Sequence, residues 1–377
     1  MIGHILTMCI GAVTGNWPMW GGEPSHQSVQ LLKGAITSPV IKWRFGNWSS
    51  IEWQFSAIAD VDGDGQMEVV VGSYDDYKVY CLKGSDGAPK WRTTSGPGRS
   101  SPAVADVDGD GQTEIIIGNI CYRGSDGTVK FTFAANPMWS GPAVADVDGD
   151  GAMEVVMAGN GDNFVHCFRG SDGTQKWAFA SGGTGYTSPA VADCDGDGKM
   201  EVAIGSWDGK VYCLRGSDGT QKWAFTTGGR LAYYSPHPSI ADVDGDGQAE
   251  VVIGTTDGNL YCLRGSDGTQ KWVSKYTNFG WGPSLGVADC DGDGKMEVLV
   301  SDGNKIYCLR GSDGTQKWAS PSWGSVVRIG SIVDIDGDGK YEVLAIGEAS
   351  GAAVRPNFDT PIFCKSLSIN DLADIQA

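Results

Sequence analysis

The phrase Asp-x-Asp-Gly-Asp-Gly-x-x-Glu occurs seven times in this chain of 377 residues, starting at Asp60, Asp106, Asp146, Asp193, Asp242, Asp289 and Asp334. Successive starts lie 46, 40, 47, 49, 47 and 45 residues apart. A unit that recurs at such a period cannot bury its apolar face alone, so the chain must fold as an array of stacked units. Between the phrases the apolar runs are short and bounded by Asp-Gly turns, and no long stretch has a helical apolar period. The pattern specifies an all-β chain. The expected architecture is a seven-bladed β-propeller, with four short strands per blade.

The fourth repeat, residues 188–225, shows the plan. Strand A is Ala190–Val191–Ala192, just before the acidic phrase. Strand B is read over 201–205, strand C over 210–215 and strand D over 221–225. Asp208-Gly209 turns B into C, and Gly-Ser-Asp-Gly-Thr turns C into D, both strong hairpin signals. The second repeat is the shortest, because its B–C hairpin has shrunk to Gly118-Asn119. Residues 38–45 read as a strand D that precedes any strand A, and the seventh repeat has strands B and C but no Lys-Trp segment after them. The expected closure is therefore an N-terminal strand completing the last blade, which would remove the exposed sheet edges. On this reading residues 1–16 are an extension or the remnant of a targeting segment, 17–366 the propeller and 367–377 a tail.

Each phrase concentrates four carboxylates in nine residues: Asp60, Asp62, Asp64 and Glu68 in the first copy, then Asp106, Asp108, Asp110 and Glu114 in the second. The third and fourth copies carry Asp146, Asp148, Asp150 and Glu154, and Asp193, Asp195, Asp197 and Glu201. The last three carry Asp242, Asp244, Asp246 and Glu250; Asp289, Asp291, Asp293 and Glu297; and Asp334, Asp336, Asp338 and Glu342. Oxygens at positions 1, 3, 5 and 9 of a tight loop, with glycine at position 6 where the backbone must turn, suit a hard cation that takes six to eight oxygen ligands. Acidic turns would share the Asp-Gly pairs, but four carboxylates so close repel one another without a counter-ion. The expected cofactor is Ca2+, one per blade at seven sites. The first six positions resemble an EF-hand loop, but the closing acid stands at position 9 instead of 12 and a β-type sequence follows.

These loops also explain the formal charge of −18, since they hold 28 of the 46 acidic residues. The other 18 acids face 28 Lys and Arg, so the acidity belongs to the loops and does not report a basic partner. No basic run or recognition helix supports nucleic-acid binding, and no apolar stretch approaches the ~18 residues of a membrane span. Residues 1–13 are apolar but lack a basic start, so they make a poor signal peptide. Of ten cysteines, Cys81, Cys121, Cys167, Cys213, Cys262, Cys308 and Cys364 recur at one position of the repeat, and Cys194 and Cys290 replace valine at position 2 of their loops. Equivalent positions on successive blades are too far apart for a disulfide, so these are read as free core thiols.

The stretch SPAVADVDGDGQTEIIIG (101–118) resembles FG-GAP repeats, the calcium-binding blades of the integrin α-chain propeller and of many bacterial and fungal surface proteins. VYCLRGSDGTQKW (211–223) is similar to the repeat of PQQ-like propellers, in which a Trp after a glycine-containing turn packs between blades, and WPMWGGEPSHQS (17–28) resembles the start of such proteins. The first resemblance implies that the four carboxylates of each loop ligate calcium, with the carbonyl of position 7, such as that of Gln66, completing the shell. FG-GAP loops commonly end in Asp, whereas all seven loops here end in Glu, so occupied sites of altered geometry are expected. The second resemblance does not extend to the quinone, because no distinct Glu–Asn–Asp set stands apart from the repeated loops; no PQQ is expected.

Function is expected where the repeat varies. The connections from strand D to the next strand A carry Trp53, Arg99, Trp139, Tyr186, Tyr233, Trp281 and Trp323, with Tyr234 beside them. In a propeller these connections share one face, opposite the acidic loops. The rings either form a surface for a carbohydrate or protein ligand or fill spaces between blades. Catalytic support is thin: four histidines, of which His237, near Arg230, Tyr233 and Tyr234, is the best candidate, and no catalytic residue is assigned. The expectation is a non-enzymatic recognition or adhesion propeller, such as a lectin, secreted or at the cell surface. A lyase-like polysaccharide-processing enzyme and a structural subunit of an extracellular assembly are the alternatives.

Overall fold

The structure is a computed structural model. It describes residues 4–9, 41–48, 56–73, 76–96, 100–137, 140–159, 162–183, 187–229, 231, 237–276, 284–290, 293–302, 304–322, 326–333 and 342–348. Among the described residues every regular element is a strand. Six four-stranded antiparallel sheets follow one another, each a simple A-B-C-D meander. In the fourth sheet the strands are Ala190–Ala192, Glu201–Gly205, Lys210–Arg215 and Gln221–Thr226, which is the layout expected from the repeat. The second sheet has its shortened hairpin, with Glu114–Ile117 joined to Ile120–Arg123 by two residues.

The first strands of successive sheets lie against one another along the whole series, from Ser56–Ala59 through Ala103–Ala105 to Leu285–Ala288. The sheets therefore radiate from an inner row of A strands. Val326–Val333, paired with Glu342–Glu348, continues the row beside the sixth sheet. At the other end, Ile41–Trp48 is a strand as the sequence indicates, but it pairs with His4–Cys9 in a separate two-stranded sheet. The sequence placed that partner in an extension. Residues 361–366, which read as strand C of the seventh repeat and so as the expected neighbour of Ile41–Trp48, lie outside the described residues.

The core sits between sheets. Period-2 alternation sends Val211 and Cys213 of the fourth sheet toward the fifth, where they join Ile240, Val251 and Ile253. Their neighbours Tyr212 and Leu214 point the other way and join Val156, Val165 and Trp177 of the third. Burial on both faces explains why strands B and C read as continuous apolar runs. Each fully buried Val, Leu or Ile contributes about 1.5–3 kcal/mol relative to exposure. The recurring cysteines belong to these clusters, and the eight described ones are free and buried.

A tryptophan locks four of the five joints between the six sheets. Trp177 of the third sheet donates its Nε1 hydrogen to the carbonyl of Gly216 in the C–D turn of the fourth, at 2.7 Å. Its ring covers Gly219, where an added Cβ would stand 2.5 Å from Cε3 and where φ is +70°. Only glycine fits both the backbone and the ring. Trp91, Trp223 and Trp272 make the same bond to Gly124, Gly265 and Gly311.

Candidate metal centre

Among the described residues each acidic phrase forms the A–B turn of its sheet, and its first Asp organises the loop. Asp60 Oδ1 accepts the amides of Gly63 (2.7 Å) and Asp64 (3.1 Å), while Oδ2 accepts that of Gly65 (2.8 Å). Gly63 and Gly65 have φ of +75° and +82° with open space around them, so backbone conformation is what demands glycine there. Asp64 Oδ1 accepts the position-7 amide of Gln66 at 2.8 Å. The closing Glu68 is 1% exposed and its Oε2 accepts the position-2 amide of Val61 at 3.2 Å. The equivalent Glu-to-amide bond recurs at 3.0–3.1 Å in the other five described loops.

In five loops, carboxylate oxygens of three or four acids gather at one spot, within 4.8 Å of one another. The groups are Asp60, Asp62, Asp64 and Glu68; Asp106, Asp108 and Asp110; Asp146, Asp148 and Glu154; Asp193, Asp195 and Asp197; and Asp242, Asp244 and Asp246. The Oδ1 atoms of Asp108, Asp148 and Asp195, all at position 3, are buried without a hydrogen-bond partner. An all-oxygen, anionic donor set with an orphaned buried carboxylate oxygen fits a hard divalent cation. Asp334, Asp336 and Asp338 lie outside the described residues, as does the side chain of Glu342, and so does Asp291 of the sixth loop.

The sequence reasoning missed one member of the site. Counter-charge is present already: Lys90 of strand D reaches Asp62, Asp64 (3.2 Å) and Glu68 (3.1 Å). Lys130, Lys176 and Lys271 do the same in their sheets, Lys222 reaches Asp195 and Glu201, and Lys317 meets Glu297 at 3.0 Å in the sixth. The loops' mutual repulsion is thus partly answered from within the chain. In every case the lysine is the extra residue of a β-bulge: Cys213 pairs with Trp223 and Leu214 with Gln221, skipping Lys222. The other five sheets skip the equivalent lysine. A bulge re-aims a side chain, here along the strand edge into the loop. The available signal was a Lys immediately before the Trp or Phe of every strand D.

Electrostatics follow this geometry. Burial raises the pKa of Glu68, Glu114, Glu154, Glu201 and Glu250 despite the lysine and the amide beside each. The position-7 amide, and after it the lysine, lowers that of Asp64. Burial opposes charge on Lys90, but hydrogen bonds to Asp62 and Glu68 outweigh it and raise its pKa.

A second row of polar contacts lies in the B–C turns, at the opposite ends of the sheets. Asp76, Asp208 and Asp302 accept the phenol hydrogens of Tyr80, Tyr212 and Tyr307 at 2.5–2.7 Å. In the third sheet His166 takes the tyrosine's place, 2.9 Å from Asp162 and 3.2 Å from Gln175, so it serves the turn. The seven residues proposed from sequence as a ligand surface, Trp53, Arg99, Trp139, Tyr186, Tyr233, Trp281 and Trp323, lie outside the described residues. So do Arg230 and Tyr234; His237 is described and half-buried.

Radial sheets joined by tryptophans, each with an acidic turn at one end, define a β-propeller of the acidic-loop class. The FG-GAP-like repeat model matches residues 60–117, 146–204, 193–253, 242–300 and 289–345. The chain belongs to that family. No curated protein matches its sequence. Among solved structures it is similar to the quinohemoprotein alcohol dehydrogenase of Comamonas testosteroni, at 12% identity and TM-score 0.59, covering 88% of this chain and 76% of that one. It is also similar to Saccharomyces cerevisiae Sqt1, at 12% identity and TM-score 0.58, covering 92% and 96%. A third is BBS1N, solved in complex with ARL6DN, at 12% identity and TM-score 0.54, covering 78% and 88%. At these identities the likeness is one of fold.

Proposed function

We propose that this chain is a calcium-stabilised, non-enzymatic recognition propeller of the cell exterior, with seven blades closed by the N-terminal strand and one calcium per blade. Its ligand, a carbohydrate or a protein, is taken on the face of the D–A connections. The observation that carries this reading is the uniformity of the acidic end: the same amide bonds hold each described loop, and position-3 oxygens are left buried and unpartnered. In each loop the three Asp and the Glu would hold the ion, which would supply the positive charge their converging oxygens lack. Asp at position 1 fixes the loop backbone, and the Glu ties position 2 to strand B. An end so committed to holding the fold leaves recognition to the connections that differ between blades, where aromatic rings give flat apolar surface for sugar rings or protein anchors.

A panel of glycans and polysaccharides, run with calcium and again with chelator and followed by product analysis of any hit, tests the reading. Calcium-dependent binding without cleavage is the expected result, and substitution of Trp53, Trp139 or Tyr186 by Ala should abolish it. Cleavage would replace the reading with a polysaccharide-processing enzyme. A blank panel from folded protein would exclude the carbohydrate and move the work to protein partners and assembly.

A further inference from the structure

We propose that the bulged lysine of strand D is an internal cation that competes with metal for the loop carboxylates: each loop is closed by an ammonium group when metal is scarce and passes those oxygens to the ion when it binds. This inference rests on the proposal that the loops take calcium. Three observations carry it.

The first is position. In all six complete sheets the lysine stands at the same bulge, outside the strand ladder, and is directed at the acidic loop of its own sheet. A lysine that merely decorated an edge strand would have no need of a ladder defect in every sheet. The second is the set of atoms it touches. Lys130 Nζ lies against Asp108 Oδ2 and Asp110 Oδ2 (3.4 Å) and 2.9 Å from Glu114 Oε1. Positions 3, 5 and 9 are the positions a calcium ion would draw on. An ammonium with three donors matches three such oxygens, and it is held in a half-enclosed setting, its side chain 11–19% exposed across the six sheets.

The third is what the lysine leaves undone. One positive charge faces four carboxylates, and Oδ1 of Asp108, Asp148 and Asp195 stays unpartnered beside it. A divalent ion supplies twice the charge and more coordination sites, so it can displace the ammonium. The lysine's flexible stem on the outermost strand lets the head swing to water without moving the backbone. Such an arrangement weakens metal binding while keeping the metal-free loop formed, and it reduces the dependence of the fold on calcium.

The test compares the wild type with Lys176→Met, and with a variant carrying Lys→Met at 90, 130, 176, 222, 271 and 317, by calorimetric calcium titration and by thermal unfolding in calcium and in chelator. Methionine keeps the unbranched stem, one atom shorter, and removes the charge. In the wild type the ion must first break the ammonium's contacts with the loop carboxylates, so removing the lysine should tighten binding at least about tenfold. Lys176→Met should split one tighter site from the rest, and Lys176→Arg, which keeps the charge, should not. In chelator the Met variants should melt below the wild type, and saturating calcium should close that gap. Equal calcium affinity with and without the lysines overturns the proposal and leaves calcium binding standing. So does a loss of melting temperature that calcium fails to restore. Absence of calcium binding in every form overturns this proposal together with the calcium reading itself.

Discussion

The joint between the second and third sheets differs from the joint between the third and fourth. At the latter, Trp177 lies over Gly219 and donates to Gly216. At the former, Phe131 lies over Gly173, where an added Cβ would meet its Cδ2 at 2.8 Å. Phenylalanine has no donor to give. The lost bond is offset by more rings: Phe131 meets Phe133 edge-on at 5.2 Å, and Phe133 meets Phe168 at 5.2 Å, where the first, fourth, fifth and sixth sheets have leucine. A joint therefore needs a flat ring over a positive-φ glycine, and the hydrogen bond is one of two ways to complete it.

Truncation should separate the two joints most widely. Trp177 is 7% exposed and Phe131 half-buried, so Trp177→Ala should cost about 3–5 kcal/mol and Phe131→Ala clearly less, as read by urea denaturation. Equal losses would show that the second joint relies on its Phe131 as heavily as the third relies on tryptophan. Gly219→Ala comes next, because it adds about 1–2 kcal/mol of left-handed backbone strain to a collision with the Trp177 ring. Gly63→Ala in the acidic loop should show the strain alone, since nothing stands near its added Cβ. The hydrogen bond is isolated by Trp177→Phe, expected to cost about 1–2 kcal/mol in the loss of a bond to a buried carbonyl.

The smallest effect should not distinguish the joints at all. Both turns carry the same Asp–Thr pair, Asp172 to Thr174 and Asp218 to Thr220, at 2.6 Å. The threonine hydroxyl, followed by its amide, lowers the pKa of each Asp in the folded state. A lowered folded pKa means stability that is complete above the unfolded value of about 4 and is lost as pH falls through the folded value. Asp172→Asn and Asp218→Asn should each flatten the acid limb of a melting-temperature profile slightly and equally. A steeper response at one joint would mean that its turn is held by the ring above it.

Strands B, C and D of the fourth repeat were legible because alternation, Asp-Gly turns and the acidic phrase all marked the same boundaries. The acidic ligand set was legible for a similar reason: a loop of nine residues carries its own geometry. The lysine was hidden because a β-bulge breaks the period-2 rule by which strands are read. In Gln-Lys-Trp, alternation sets Lys222 and Trp223 on opposite faces, but only the ladder shows Lys222 skipped and turned along the edge. The partner of Ile41–Trp48 was hidden for another reason. Pairing between strands more than thirty residues apart depends on which edges meet in space, and His4–Cys9 carries no mark of the repeat.

Because each apolar cluster is made half from one sheet and half from the next, a single blade owns no interior. Folding of such a chain must lag its synthesis by one repeat: the third blade has nothing to close upon until the strands of the fourth, with Gly216 and Gly219, have followed it. The same dependence makes the joint, and not the blade, the smallest piece that can be lost or gained without leaving a bare apolar wall.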